Sequence, residues 1–66
     1  MQIMLNGTPT EVAEALTMAD LIEALQLGDR RLAVEVNEEL VPRSRFQEHR
    51  LEPQDQVEII HAVGGG

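Results

Sequence analysis

Short apolar runs, each closed by a polar or glycine-containing break, divide the chain into pieces of about strand or single-helix length. Gln2-Ile3-Met4-Leu5 is a β-prone run, and Asn6-Gly7 behind it tolerates the positive φ angles of a tight hairpin turn. The return strand is predicted from Thr10 to about Ala15. Met18, Leu21, Ile22 and Leu25 then fall at i, i+3, i+4 and i+7, which places them on one face of a helix running from about Met18 to Leu27. Thr17 is placed to accept the backbone N–H of Asp20, a capping box with Asp where Glu is usual, and Gly28 stands where a left-handed C-terminal cap belongs. Leu32, Val34 and Val36 alternate with Ala33, Glu35 and Asn37, predicting a strand that turns through Asn37-Glu38-Glu39 into Leu40-Val41 and stops at Pro42. Arg43 to Gln54 is irregular, pinned by Phe46 and Leu51, and Pro53-Gln54-Asp55 reads as a turn. Val57, Ile59, His61 and Val63 alternate with Glu58, Ile60 and Ala62, predicting a last strand.

The predicted order is β-β-α-β-β-β, in one domain over residues 1–63 followed by a flexible glycine tail at 64–66. One sheet covered by one helix is the economical way to bury Ile3, Leu5, Leu21, Ile22, Leu25, Val34, Val36, Phe46, Val57 and Ile59 together. The expected fold class is therefore α+β, a ubiquitin-like β-grasp with a mixed sheet of four to five strands.

Composition narrows the chemistry. Sixty-six residues leave little room for an enclosed active site with its own supporting shell. Five cations, all Arg, stand against twelve Asp and Glu, for a net charge of −7. That balance argues against nucleic acid and towards a basic partner. No apolar run approaches the roughly 20 residues needed to span a bilayer, and the acid-rich first third lacks the features of a signal peptide, so a cytoplasmic location is expected. With neither Cys nor Lys nor Tyr, and Ser44 between Arg43 and Arg45 as the single serine, the usual nucleophiles are nearly absent and no enzyme activity is expected. His49 reads as a solvated loop histidine, while His61 is suited to hydrogen bonding at the end of the sheet or to docking. Two histidines without cysteine make no metal site.

Gly64-Gly65-Gly66 contributes no apolar burial. A stretch without Cβ atoms can, however, enter a narrow channel in another protein and present its terminal carboxylate there. If Ile3, Leu5, Val57 and Ile59 face the helix, period-two alternation sends Met4, Ile60 and Ala62 to the open face. These three are expected to form a docking patch leading to the tail, with Arg43 and Arg45 supplying polar contacts.

Over its whole length the chain resembles the sulfur-carrier family of thiamin biosynthesis, the ThiS family. The resemblance is carried by Asn6-Gly7, Ala19-Asp20-Leu21-Ile22, Ala33-Val34-Glu35-Val36-Asn37, Val41-Pro42-Arg43-Ser44, Asp55 with Val57-Glu58-Ile59, and Ala62-Val63-Gly64-Gly65. It implies that an E1-like adenylyltransferase uses ATP to activate the C-terminal carboxylate. Sulfur from a donor such as a cysteine desulfurase would then give a thiocarboxylate for thiazole synthase. Gly66 would be the acceptor, Gly64 and Gly65 would thread the partner, and the carrier would bind no cofactor itself. The family typically ends in two glycines, so three leave both Gly66 and Gly65 as candidate reactive ends. A carrier for another pathway, such as molybdopterin synthesis or tRNA thiolation, a ubiquitin-like protein modifier, and an acidic interaction module are the alternative readings.

Overall fold

The computed structural model describes residues 1–61; Ala62, Val63 and the glycines Gly64, Gly65 and Gly66 lie outside the described residues. Its elements are β1 (Gln2–Leu5), β2 (Thr8–Glu11), α1 (Met18–Ala24), β3 (Leu32–Val36), β4 (Glu39–Val41), a 3-10 turn at Arg43–Arg45, and β5 (Gln56–His61). The five strands form one mixed sheet in the order β2-β1-β5-β3-β4, crossed by the single helix, which is the β-grasp arrangement. Strand β5, last in sequence, is central in space. It runs parallel to β1 and antiparallel to β3.

The first hairpin begins where Asn6-Gly7 predicts, with φ of 49° and 82°, the two positive angles of a type I′ turn. Its return strand lies at Thr8–Glu11 rather than Thr10–Ala15. A two-residue turn starts the pairing at once, Leu5 opposite Thr8, and the Met1–Val12 pair then closes the ladder. The four residues of β1 are used up before Ala13. Pro9 fits because β2 is an edge strand, where a missing N–H costs no ladder bond. The Met1 ammonium donates to the Val12 carbonyl at 2.7 Å and lies 3.4 Å from Glu11 and 3.3 Å from Glu14. Burial works against its charge, but those two carboxylates outweigh it and raise its pKa above 8.0.

The helix starts with every early donor occupied. Thr17 Oγ1 accepts from Asp20 N at 3.1 Å while Asp20 Oδ2 accepts from Thr17 N at 3.3 Å, completing the capping box. The irregular segment supplies the other two acceptors: Met18 N donates to the His49 carbonyl and Ala19 N to that of Phe46. Orphan helix donors are thereby satisfied by the same segment that inserts Phe46 and Leu51 into the core.

At its other end the helix is shorter than the pattern suggests. It stops at Ala24, and Gln26, not Gly28, takes the left-handed angle, at φ 61°. Gln26 N donates to the Glu23 carbonyl and Leu27 N to that of Ile22, the two bonds of a Schellman motif. Leu27 packs against the core through this turn. Leu25, expected in the core, is 38% exposed, and Leu5 is only half-buried. Met18 instead is fully enclosed, with Leu21 and Ile22 on the same face. The core is completed by Ile3, Val34, Val36, Val41, Val57 and Ile59. No helix among the described residues is long and apolar enough to cross a membrane.

Candidate functional site at the exit of the central strand

The glycines follow β5, so the chemistry of interest begins where that strand loses its neighbours. Strand β1 pairs with β5 at Met4–Gln56 and Leu5–Val57 and then turns away. Asn6 bridges the gap. Its backbone N–H donates to the Val57 carbonyl at 2.8 Å, and its side-chain Oδ1 accepts from the Ile59 N–H, also at 2.8 Å. Beyond Ile59 only β3 remains alongside, through Ile60–Ala33 and His61–Leu32. Sequence reasoning used Asn6 as a turn residue alone; nothing in local pattern reveals a partner 53 positions away.

The face of the sheet turned from the helix carries Met4, Ala33, Glu35, Leu40, Gln56, Glu58 and Ile60, the residues that alternate with the core set. Glu35 and Glu58 are direct cross-strand partners here, and Glu35 also faces Leu40. Leu40 and Ile60 are 66% and 51% exposed, which makes this end of the sheet apolar around an acidic pair. Met4 and Ile60, expected in one patch, are separated. Met4 lies opposite Gln56, four residues before Ile60 on β5, an offset of about 13 Å at the usual rise of a strand. Alternation correctly assigns both to one face, but it carries no information about the offset between β1 and β5. Ala62, the third member of the expected patch, lies outside the described residues.

Arg43 and Arg45 are exposed but engaged within the chain. Arg43 donates to the carbonyls of Arg30 at 2.8 Å and Gly28 at 3.4 Å, and its guanidinium lies 5.5 Å from the centre of the Phe46 ring. It thereby ties the loop after the helix to the 3-10 turn, and with Arg31, Leu32, Ala33 and Ile60 it lines a shallow groove beside the end of β5. Arg45 pairs with Glu48 at 3.0 Å. Ser44 is exposed in the 3-10 turn, and the half-buried His49 uses its carbonyl to hold the helix N-terminus. His61 is exposed at the end of β5. Among the described residues, no three His, Cys, Asp or Glu side chains converge as metal ligands would.

Comparison with known proteins agrees with this architecture. The sulfur carrier protein ThiS of Bacillus subtilis is 40% identical over 65 residues, covering 97% of this chain and 98% of that protein. A thiazole synthase of Magnetococcus marinus is 35% identical over 66 residues, all of this chain but 20% of that protein. The crystal structure of the thiamine biosynthesis protein ThiS from Geobacter metallireducens superposes with a TM-score of 0.86 at 33% identity, each chain covered completely. The ThiS family model matches residues 3–66, from the first strand through the glycine run. The chain therefore belongs to the ThiS family.

Proposed function

We propose that this protein is a cytoplasmic sulfur carrier of thiamin biosynthesis, not itself a catalyst, whose reactive group is the C-terminal carboxylate of Gly66. The observation that carries the reading is the extent of the family match, which runs through the glycines to residue 66. A carboxylate is a poor acyl donor because its leaving group would be oxide. Attack by its oxygen on the α-phosphorus of ATP, held by an E1-like adenylyltransferase, expels pyrophosphate and leaves an acyl adenylate. A sulfur nucleophile from a donor such as a cysteine desulfurase then attacks the acyl carbon. AMP departs with the original oxygen. Where the nucleophile is the donor's persulfide, a second thiol then attacks the donor's sulfur in the acyl disulfide so formed, leaving as a disulfide with the donor and releasing the thiocarboxylate. The carrier needs no nucleophile of its own for any of this, in keeping with its lack of Cys and Lys.

Thiazole synthase is the proposed recipient, supported by the thiazole synthase that contains a segment like the whole of this chain. The open face around Ile60 and Leu40, with Glu35 and Glu58 between them, is the proposed docking surface for the activating enzyme. Intact-mass measurement after incubation with ATP, an E1-like enzyme and a sulfur donor tests the reading. The expected product is the chain with one oxygen exchanged for sulfur, and Gly65→Val should abolish it while leaving the circular dichroism unchanged, because a Cβ-branched residue blocks threading. A ladder of isopeptide-linked conjugates would instead identify a modifier, and wild-type activation of Gly65→Val would refute the threading argument. Retained thiocarboxylation after deletion of Gly66 would move the reactive end to Gly65.

A further inference from the structure

The geometry points to Asn6 as a positioning residue for the reactive end of the chain: its side-chain amide makes the last contact on the β1 side of β5, beyond which Ile60 and His61 are paired to β3 alone. This rests on the carrier reading above. The turn by itself does not require a side chain at position 6, since glycine adopts a φ of 49° without penalty. What glycine lacks is the Oδ1 that accepts the Ile59 N–H at 2.8 Å in a half-buried bond. Along the β1 side of β5, hydrogen bonds alternate from Met4 N–Asp55 O to Asn6 N–Val57 O and end at this one. By the same alternation the His61 N–H faces a side where β1 has already turned away. Asn6 thus supplies a strand's last rung after the strand itself has gone, and holds Ile59 between two neighbours.

The molecule contains its own control. Asn37 sits in the equivalent turn with φ 53°, and its Oδ1 accepts the Gln56 N–H at 3.0 Å. Both asparagines therefore close the ladder of β5 by the same chemistry, Asn37 at its start and Asn6 at its exit. Loss of the Asn37 contact should loosen the far end of the sheet. Loss of the Asn6 contact should leave Ile59, Ile60 and His61 held by β3 alone, so that Ile59, on the path to Gly66, loosens on its β1 side and must be ordered again when a partner captures the end.

The test uses the full chain with Asn6→Gly, Asn6→Asp and Asn37→Gly. Asn6→Gly preserves the turn and removes the acceptor; Asn6→Asp restores an acceptor. By amide hydrogen exchange, Asn6→Gly should accelerate Ile59 by about tenfold relative to Val34, with Asn37→Gly leaving Ile59 as in the wild type. In ATP–pyrophosphate exchange with an E1-like enzyme, Asn6→Gly should raise KM for the carrier by about tenfold, the cost of ordering one further backbone residue. Its kcat should stay near the wild-type value, since the same carboxylate meets the same nucleotide once bound. Asn6→Asp should return KM to the wild-type range. An unchanged KM in Asn6→Gly, or an equal rise in Asn37→Gly, would overturn the proposal. If the wild-type chain is not adenylated at all, the carrier reading fails, and Ile59 exchange alone then decides whether Asn6 holds the exit.

Discussion

Met18→Ala should remove a large fraction of the stability of this domain, and Leu25→Ala should not. Both side chains lie on the apolar stripe of the helix pattern, yet Met18 is 0% exposed and Leu25 is 38% exposed. Truncating a fully buried methionine loses its transfer free energy and leaves a cavity, together about 2–5 kcal/mol. Alanine suits the first helical turn at least as well as methionine, so no loss of helix propensity complicates the comparison. Leu25 sits at the C-cap, already partly hydrated, and its truncation should cost about 1 kcal/mol or less. For 66 residues the whole stability is roughly 3–10 kcal/mol, so Met18→Ala consumes about half of it. Without Trp or Tyr the chain offers little intrinsic fluorescence, and urea unfolding followed by circular dichroism is the suitable assay. The midpoint should fall sharply for Met18→Ala with a nearly constant slope. Equal losses for the two variants would refute the assignment of the buried helix face.

Glu38, second in the Asn37-Glu38 turn, holds φ at 71°; Glu38→Gly should raise stability by about 1 kcal/mol in the same unfolding assay, since glycine carries no Cβ penalty there. The Met1 ammonium, its pKa raised by Glu14 and Glu11 above 8.0, contributes stability that is complete below about pH 8 and is lost as pH rises through the folded-state value. Lacking Lys, Tyr and Cys, the chain has no side chain that ordinarily titrates in that alkaline window, so a melting-temperature profile from neutral to alkaline pH should isolate the effect. The Glu11→Gln, Glu14→Gln double variant should flatten it, and the effect should be small and salt-sensitive because both carboxylates are well exposed. Ile60→Asp should weaken binding to an E1-like partner in titration calorimetry with circular dichroism unchanged, and full affinity would remove that end of the open face from the interface.

Local chemistry made much of this molecule legible before its structure. Asn6-Gly7, the Thr17–Asp20 box and the alternation in β3 and β5 each declare themselves within a few residues, and the burial of Phe46 and Leu51 follows from their being apolar in a polar stretch. Features settled over distance escaped. Gln26 takes the left-handed cap two residues before Gly28 because the Schellman turn brings Leu27 back onto the core, which favours an earlier stop than intrinsic preference suggests. The 3-residue strand β4 places Val41 in the core, and the segment from Phe46 to His49 supplies carbonyl acceptors to the helix start. The offset of Met4 from Ile60 and the reach of Asn6 to Ile59 both arise from parallel pairing between the first strand and the last, which alternation within either strand leaves undetermined.

The central place of β5 bears on how the protein is made. Before Gln56 the strands can pair only as two separate hairpins, β1–β2 and β3–β4, because β5 is the strand that joins them. An isolated hairpin is marginal in water, and contacts between distant parts of a chain reward folding only after the loop between them has closed. A growing chain is therefore expected to stay uncommitted until β5 is available, and a product cut short before β5 lacks the strand that completes the sheet. Protease resistance should accordingly be gained only by chains translated through the strand that leads to the glycines.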